Sequence, residues 1–119
     1  MTGPSSNRMQ QELSKIERDF NSLLLKCIDE TIAGLLGQDV VEPLHLHLNT
    51  EYGVATDELP HRLDTFQSAL ERNFGAVPAS TIGKAIARRF YKKLGWEFVR
   101  ITDYKLHDYV DAAKKRLKE

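Results

Sequence analysis

The sequence predicts an all-α fold, a compact bundle of about five helices with a long first helix. Three observations carry this. Apolar residues recur at intervals of three and four along most of the chain. The stripes end in glycine, at Gly37, Gly53, Gly75 and Gly95, and the connections between them are short. The chain has 119 residues, 41% hydrophobic and 29% charged, which suits one ordinary globular core and argues against bulk disorder.

Residues 1–7 are small and polar and read as a disordered tail, and residues 8–119 as a single helical domain. Helix one is expected over 8–36, capped by Ser6 or Asn7. Met9, Leu13, Ile16, Phe20, Leu23 and Cys27 follow one another at spacings of 4, 3, 4, 3 and 4, a narrow heptad-like seam. Beyond Leu23 the stripe widens, because Leu24, Leu25, Ile28, Ile32, Leu35 and Leu36 join it. The first half therefore reads as a contact edge and the second as a core helix.

Helix two is expected over 40–52, with Asp39 and Glu42 as a capping box and Pro43 in the first turn. Leu44, Leu46 and Leu48 alternate with His45 and His47 as in a half-buried strand. The stripe Val41, Leu44, Leu48, Tyr52 favours helix. Residues 56–59 read as a turn or short helix. Pro60 opens helix three, which presents Leu63, Phe66, Leu70 and Phe74 and runs to Asn73. Helix four spans 78–94. Residues 96–101 are aromatic and β-branched and read as an extended segment or short strand. Asp103 is expected to cap helix five, whose stripe is Leu106, Tyr109, Val110, Ala113 and Leu117.

Charge is divided. The 17 basic and 17 acidic residues cancel. Residues 1–75, however, hold 6 Lys/Arg against 12 Asp/Glu, and residues 76–119 hold 11 against 5, so the halves carry −6 and +6. Helix four concentrates the positive half. Lys84, Arg88, Arg89, Lys92 and Lys93 share one side of its wheel, and no acid lies within it. Neutralisation by the acidic half is the first expectation. An acidic protein partner comes second, nucleic-acid phosphate third and a membrane surface last. The cations Lys114, Lys115, Arg116 and Lys118 oppose the dipole of the last helix.

Signals for chemistry are weak. On a helix, His45 and His47 point about 200° apart and share no metal. Cys27 lies on an apolar stripe and behaves as a small hydrophobe. Gly83-Lys84 lacks a phosphate loop's earlier glycine, since position 78 is Pro, and Ala85 replaces the Ser/Thr. Trp96 is expected to pack back on helix four. No catalytic residue, metal or cofactor is expected. A lone cysteine needs no oxidising compartment, the first eleven residues carry no apolar signal region, and no apolar run approaches the ~20 residues of a membrane span. The chain therefore reads as soluble and cytoplasmic.

The runs Phe66–Gly75, Ile82–Ile86, Phe90–Trp96 and Asp103–Val110 together resemble a small helical domain of ammonia-oxidising archaea, the fifth type of Nitrosopumilus output domain. The likeness covers about residues 20–116 and is strongest in F-x-x-x-L-x-x-x-F-G and Y-x-K-L-G, which are packing and capping positions. Pro78 and Ser80 depart from a Gly/Ala-rich approach to helix four, and helix one extends several turns before the match. The resemblance implies an output module that passes a signal onward and carries over no catalytic residue. The expected function is a non-enzymatic protein–protein interaction module. Met9, Leu13, Ile16, Phe20 and Leu23 would form its edge toward a second copy or partner helix, and Lys84, Arg88, Arg89, Lys92 and Lys93 its basic face. The alternative is a nucleic-acid-binding regulator that uses that basic face. Against it, helix four lacks the Asn/Gln/Ser face that reads bases.

Overall fold

The computed structural model describes the backbone of residues 3–118 and the side chains of residues 11–118. Five α-helices and one 3-10 helix follow in order: α1 (Gly3–Leu36), α2 (Gln38–Tyr52), the 3-10 helix Thr56–His61, α3 (Leu63–Phe74), α4 (Ala76–Lys93) and α5 (Leu106–Lys118). No strand occurs among the described residues. The all-α bundle is as the periodicity predicts.

α4 is the central element and packs on α1, α3 and α5. Its buried face is Ala79, Ile82, Gly83, Ile86, Ala87 and Phe90. Against it lie Phe20, Leu24, Cys27, Ile28 and Ile32 of α1, Phe66 and Leu70 of α3, and Leu106, Tyr109 and Val110 of α5. Phe20 and Phe90 meet edge to face with ring centres 4.9 Å apart, which locks the middle of α1 to the end of α4. α2 contributes less, with Val41 and Leu48 buried.

The boundaries show which local signals win. α1 is already helical at Gly3, ahead of the Ser6/Asn7 cap, so residues 3–7 are its first turns; Met1 and Thr2 lie outside the described residues. Residues 44–48 are helical, so the alternation of Leu and His is not a strand. Asp39 sits inside the first turn of α2 rather than capping it, and Gly37 (φ 109°) holds the cap position without a side-chain bond. At the other end, Gly53 (φ 67°) donates to Asn49 O at 3.1 Å and Val54 N–H to Leu48 O at 3.1 Å, a Schellman-type stop.

Pro60 lies within the 3-10 helix instead of opening α3, which starts only after Arg62 turns the chain. Residues 96–101 are irregular and have no partner strand. The Tyr109 hydroxyl holds this loop: it accepts the Ile101 N–H at 2.9 Å and lies 3.3 Å from the Ile101 carbonyl. Trp96 packs on Tyr91 at 6.1 Å and under the Arg116 guanidinium at 4.3 Å. Asp103 does not cap α5. It takes a left-handed turn (φ 69°), and Asp108 in the first turn of α5 reaches back instead, its Oδ2 accepting the N–H of Lys105, the residue before the helix, at 2.9 Å.

Candidate interaction surfaces

α1 is the element that reaches beyond the core. Thirty-four residues at 1.5 Å per residue span about 51 Å, close to the molecule's longest dimension of 56 Å, while the other two are 33 and 22 Å. Residues 11–19 are all exposed, and burial begins at Phe20. The apolar seam therefore divides. Leu13 and Ile16 stand 50% and 45% exposed. Phe20 is buried and Leu23 half-buried, so these two belong to the protein's own core rather than to a free edge. The Met9 side chain lies outside the described residues.

One residue joins the edge that the periodicity had assigned to the core. Leu117, on the stripe of α5, is 38% exposed. With Leu13, Ile16 and the rim of Phe20 it lines a shallow apolar niche of about 130 Å³, bordered by Glu17, Lys114 and Lys118. The Lys114 ammonium stands 5.9 Å from the centre of the Phe20 ring, and Lys118 pairs loosely with Glu17 at 4.0 Å. That α5 runs out alongside the exposed part of α1 was not visible in the stripe, because a period gives a face and not the length of its cover.

The five cations of α4 do not form one uniform face. Lys84 is half-buried, and the other four are exposed. Arg89 faces α1 and stands 4.0 Å from Glu30. Arg88 lies over the Phe98 ring, 5.8 Å from its centre. Lys92 and Lys93 make no ion pair within 4.0 Å among the described residues, nor do Lys84 and Arg88. Among the described residues, the acidic half thus meets this cluster in an ion pair only at Arg89.

The titratable groups are dispersed. His45 Nε2 is 2.6 Å from Asp29 Oδ1, and its Nδ1 is 3.5 Å from Thr56 Oγ1, so this side chain ties α2 to α1 and the 3-10 helix. His47 meets Asn73, His61 meets Asn21, and His107 meets Asp108. Among the described residues, no three His, Cys, Asp or Glu converge as metal ligands would. Burial pushes the Cys27 thiol up from its ordinary pKa, with Glu30 adding to the rise and Lys93, Arg89 and Lys26 opposing it. Burial likewise raises the Tyr91 phenol, which donates to Tyr109 O at 2.7 Å. No helix among the described residues is long and apolar enough to cross a membrane. No known protein family, curated protein or solved structure matches the chain.

Proposed function

We propose that this protein is a non-enzymatic protein–protein interaction module, an output element in signalling or regulation, and that it pairs with a second copy of itself through the exposed edge of α1. The observation that carries the reading is the pair Leu13 and Ile16. They lie on a helix that overhangs the bundle, half exposed, beside Leu117. Burying such a helix edge against a like edge is the ordinary use of a short heptad seam. Charge supports a second copy as the occupant. The overhang carries Glu12, Glu17 and Asp19, the end of α5 carries Lys114, Lys115, Arg116 and Lys118, and Glu17 already approaches Lys118 within one chain. The resemblance to archaeal output domains supports the signalling role, and the single cysteine, buried and unpaired, supports a reducing, cytoplasmic setting.

The energy expected is modest. Full burial of a Leu or Ile contributes about 1.5–3 kcal/mol. Covering what Leu13, Ile16 and Leu117 leave exposed contributes about 2–4 kcal/mol per copy, or about 4–8 kcal/mol for a symmetric pair. Association itself costs at least about 4 kcal/mol, so these three residues give a weak, concentration-dependent dimer. Sedimentation velocity from micromolar to millimolar concentration tests this. A rising sedimentation coefficient is expected, and L13D/I16D should remove the rise without lowering thermal stability. A strict monomer at the highest concentration rejects self-association.

The second reading, a nucleic-acid-binding regulator, draws on Arg88, Lys92 and Lys93, which are exposed and unpaired among the described residues. Three or four phosphate contacts would give log affinity a steep negative slope against log salt. A flat slope in a gel-shift titration excludes it.

A further inference from the structure

One cleft lies away from the α1 edge and touches the basic cluster of α4 only at Lys84. It opens between α3, the first half of α4 and the approach to α5, and encloses about 250 Å³. Gln67 forms its floor. This side chain is 5% exposed, and its Nε2 donates to Ala79 O at 3.1 Å. That bond turns Oε1 toward Gly83, also a lining residue, and there the oxygen has no hydrogen-bond partner. A buried amide oxygen without a donor is costly and uncommon. Oε1 itself takes the place that a side chain at Gly83 would fill: a Cβ at this position would stand 2.7 Å from it.

Opposite charges stand around this floor. Glu71 comes from α3, Lys84 and the Ser80 hydroxyl from α4, and Lys105 from the approach to α5. Glu71 and Lys105 are 3.6 Å apart, and both are partly exposed, so their pair exchanges readily with a competitor. Tyr104 adds an aromatic wall.

We infer that this cleft binds a small zwitterion, an α-amino acid or a close chemical relative. The ammonium group supplies the donor that Gln67 Oε1 lacks and faces the Glu71 carboxylate. To meet it, Gln67 exchanges its bond to Ala79 O for the ligand, since rotation about its terminal torsion moves Oε1 and Nε2 together. The carboxylate takes hydrogen bonds from Lys84, Lys105 and Ser80. A simple anion fails this site, because it sets an acceptor against an unpaired acceptor. A simple cation leaves Lys84 unopposed. The volume is below the ~300 Å³ where drug-sized pockets begin, which suits a molecule of amino-acid size. The inference is independent of pairing through α1, since none of its residues lies on that edge.

The test is an NMR titration of the ¹⁵N-labelled full chain with each of the twenty proteinogenic amino acids at millimolar concentration. At least one should give saturable shifts centred on Gln67–Glu71, Ala76–Lys84 and Tyr104–Leu106. Its N-acetylated form and its decarboxylated amine should each lose binding. Glu71→Gln and Lys84→Gln, both at partly exposed positions, should each weaken affinity about tenfold with folding intact. The inference is overturned if none of the twenty saturates these amides, or if the acetylated or decarboxylated form binds as well as the parent.

Discussion

Replacing Gly83 by alanine should destabilise the native protein, and the same replacement should stabilise it once Gln67 is alanine. In the interior of a helix, Gly→Ala alone stabilises by about 1 kcal/mol, because alanine loses less backbone entropy. Here the new methyl would lie 2.7 Å from Gln67 Oε1 and 3.7 Å from Leu106 Cβ. The second distance is ordinary contact; the first is not, so Gln67 must move. Its room to do so is small, since it is 5% exposed and tethered through Nε2 to Ala79 O, the carbonyl one helical turn before Gly83. Overpacking a core costs about 1–3 kcal/mol, and losing the tether about 0.5–1.5 kcal/mol more. The net for Gly83→Ala is a loss of about 1–3 kcal/mol.

Gln67→Ala is itself destabilising, since it leaves a cavity between α3 and α4. In that background the clash is gone, the methyl fills part of the void, and Gly83→Ala should gain about 1 kcal/mol. The coupling between the two sites is therefore about 2–4 kcal/mol, at the upper end of what residues in direct contact show. Urea unfolding of the four proteins, followed by far-UV circular dichroism with a common m-value, measures it. In thermal melts, each kcal/mol corresponds to a few degrees for a chain of this size. If Gly83→Ala stabilises the wild type as much as it stabilises Gln67→Ala, the close approach of α3 and α4 at this point is wrong.

Other substitutions probe other parts of the bundle. Thr31 is 3% exposed and its Oγ1 has no hydrogen-bond partner, so the near-isosteric Thr31→Val should raise stability by about 1 kcal/mol in the same urea assay. Tyr109→Phe removes the hydroxyl that engages Ile101, and should cost about 1–2 kcal/mol and speed amide exchange at Ile101. Cys27 should resist alkylation at pH 8 until the chain is unfolded, because it is buried and its thiol is pushed up. The sign follows from the same shift. The unfolded thiol ionises first, so the neutral thiol's contribution is present below the unfolded pKa and is lost as pH rises from there toward the folded value, a loss that Cys27→Ala should remove.

The parts of this fold legible in the sequence are those that follow from period and glycine. α4 could be placed almost to the residue, because its apolar face is unbroken and Gly75 and Gly95 flank it. The caps were less legible. Asp103 is the cap expected for α5, but Asp108 takes that role, because the path of the loop decides it and the Tyr109 hydroxyl sets that path from eight residues away. Pro60 suits the start of a helix, but the 3-10 turn absorbs it. The zwitterion cleft was hidden for a related reason. Gln67 belongs to no chemical motif in the sequence, and Gly83 reads as half of a failed phosphate loop. A glycine kept in a helix interior was the available cue, because it marks a close approach by something. What approaches is set by the crossing of α3 and α4, which no periodicity specifies.

The division of charge now has a physical reading. Among the described residues, three ion pairs join the acidic and basic halves, Arg89–Glu30, Lys105–Glu71 and Lys118–Glu17, at 3.6–4.0 Å. Every partner has a side chain at least 36% exposed, and pairs of this kind contribute about 0–1 kcal/mol each. They are too weak for the division to be a device of folding, which rests on the apolar faces of α1, α3, α4 and α5. Salt then separates the two roles. Raising ionic strength should leave the unfolding midpoint nearly unchanged, since screening acts on pairs that add little to it. It should weaken association wherever the acids of the α1 overhang meet the cations of α5 in a second copy. Midpoints that fell steeply with salt would return the charge division to the fold. Association that ignored salt would leave the contact to Leu13, Ile16 and Leu117 alone.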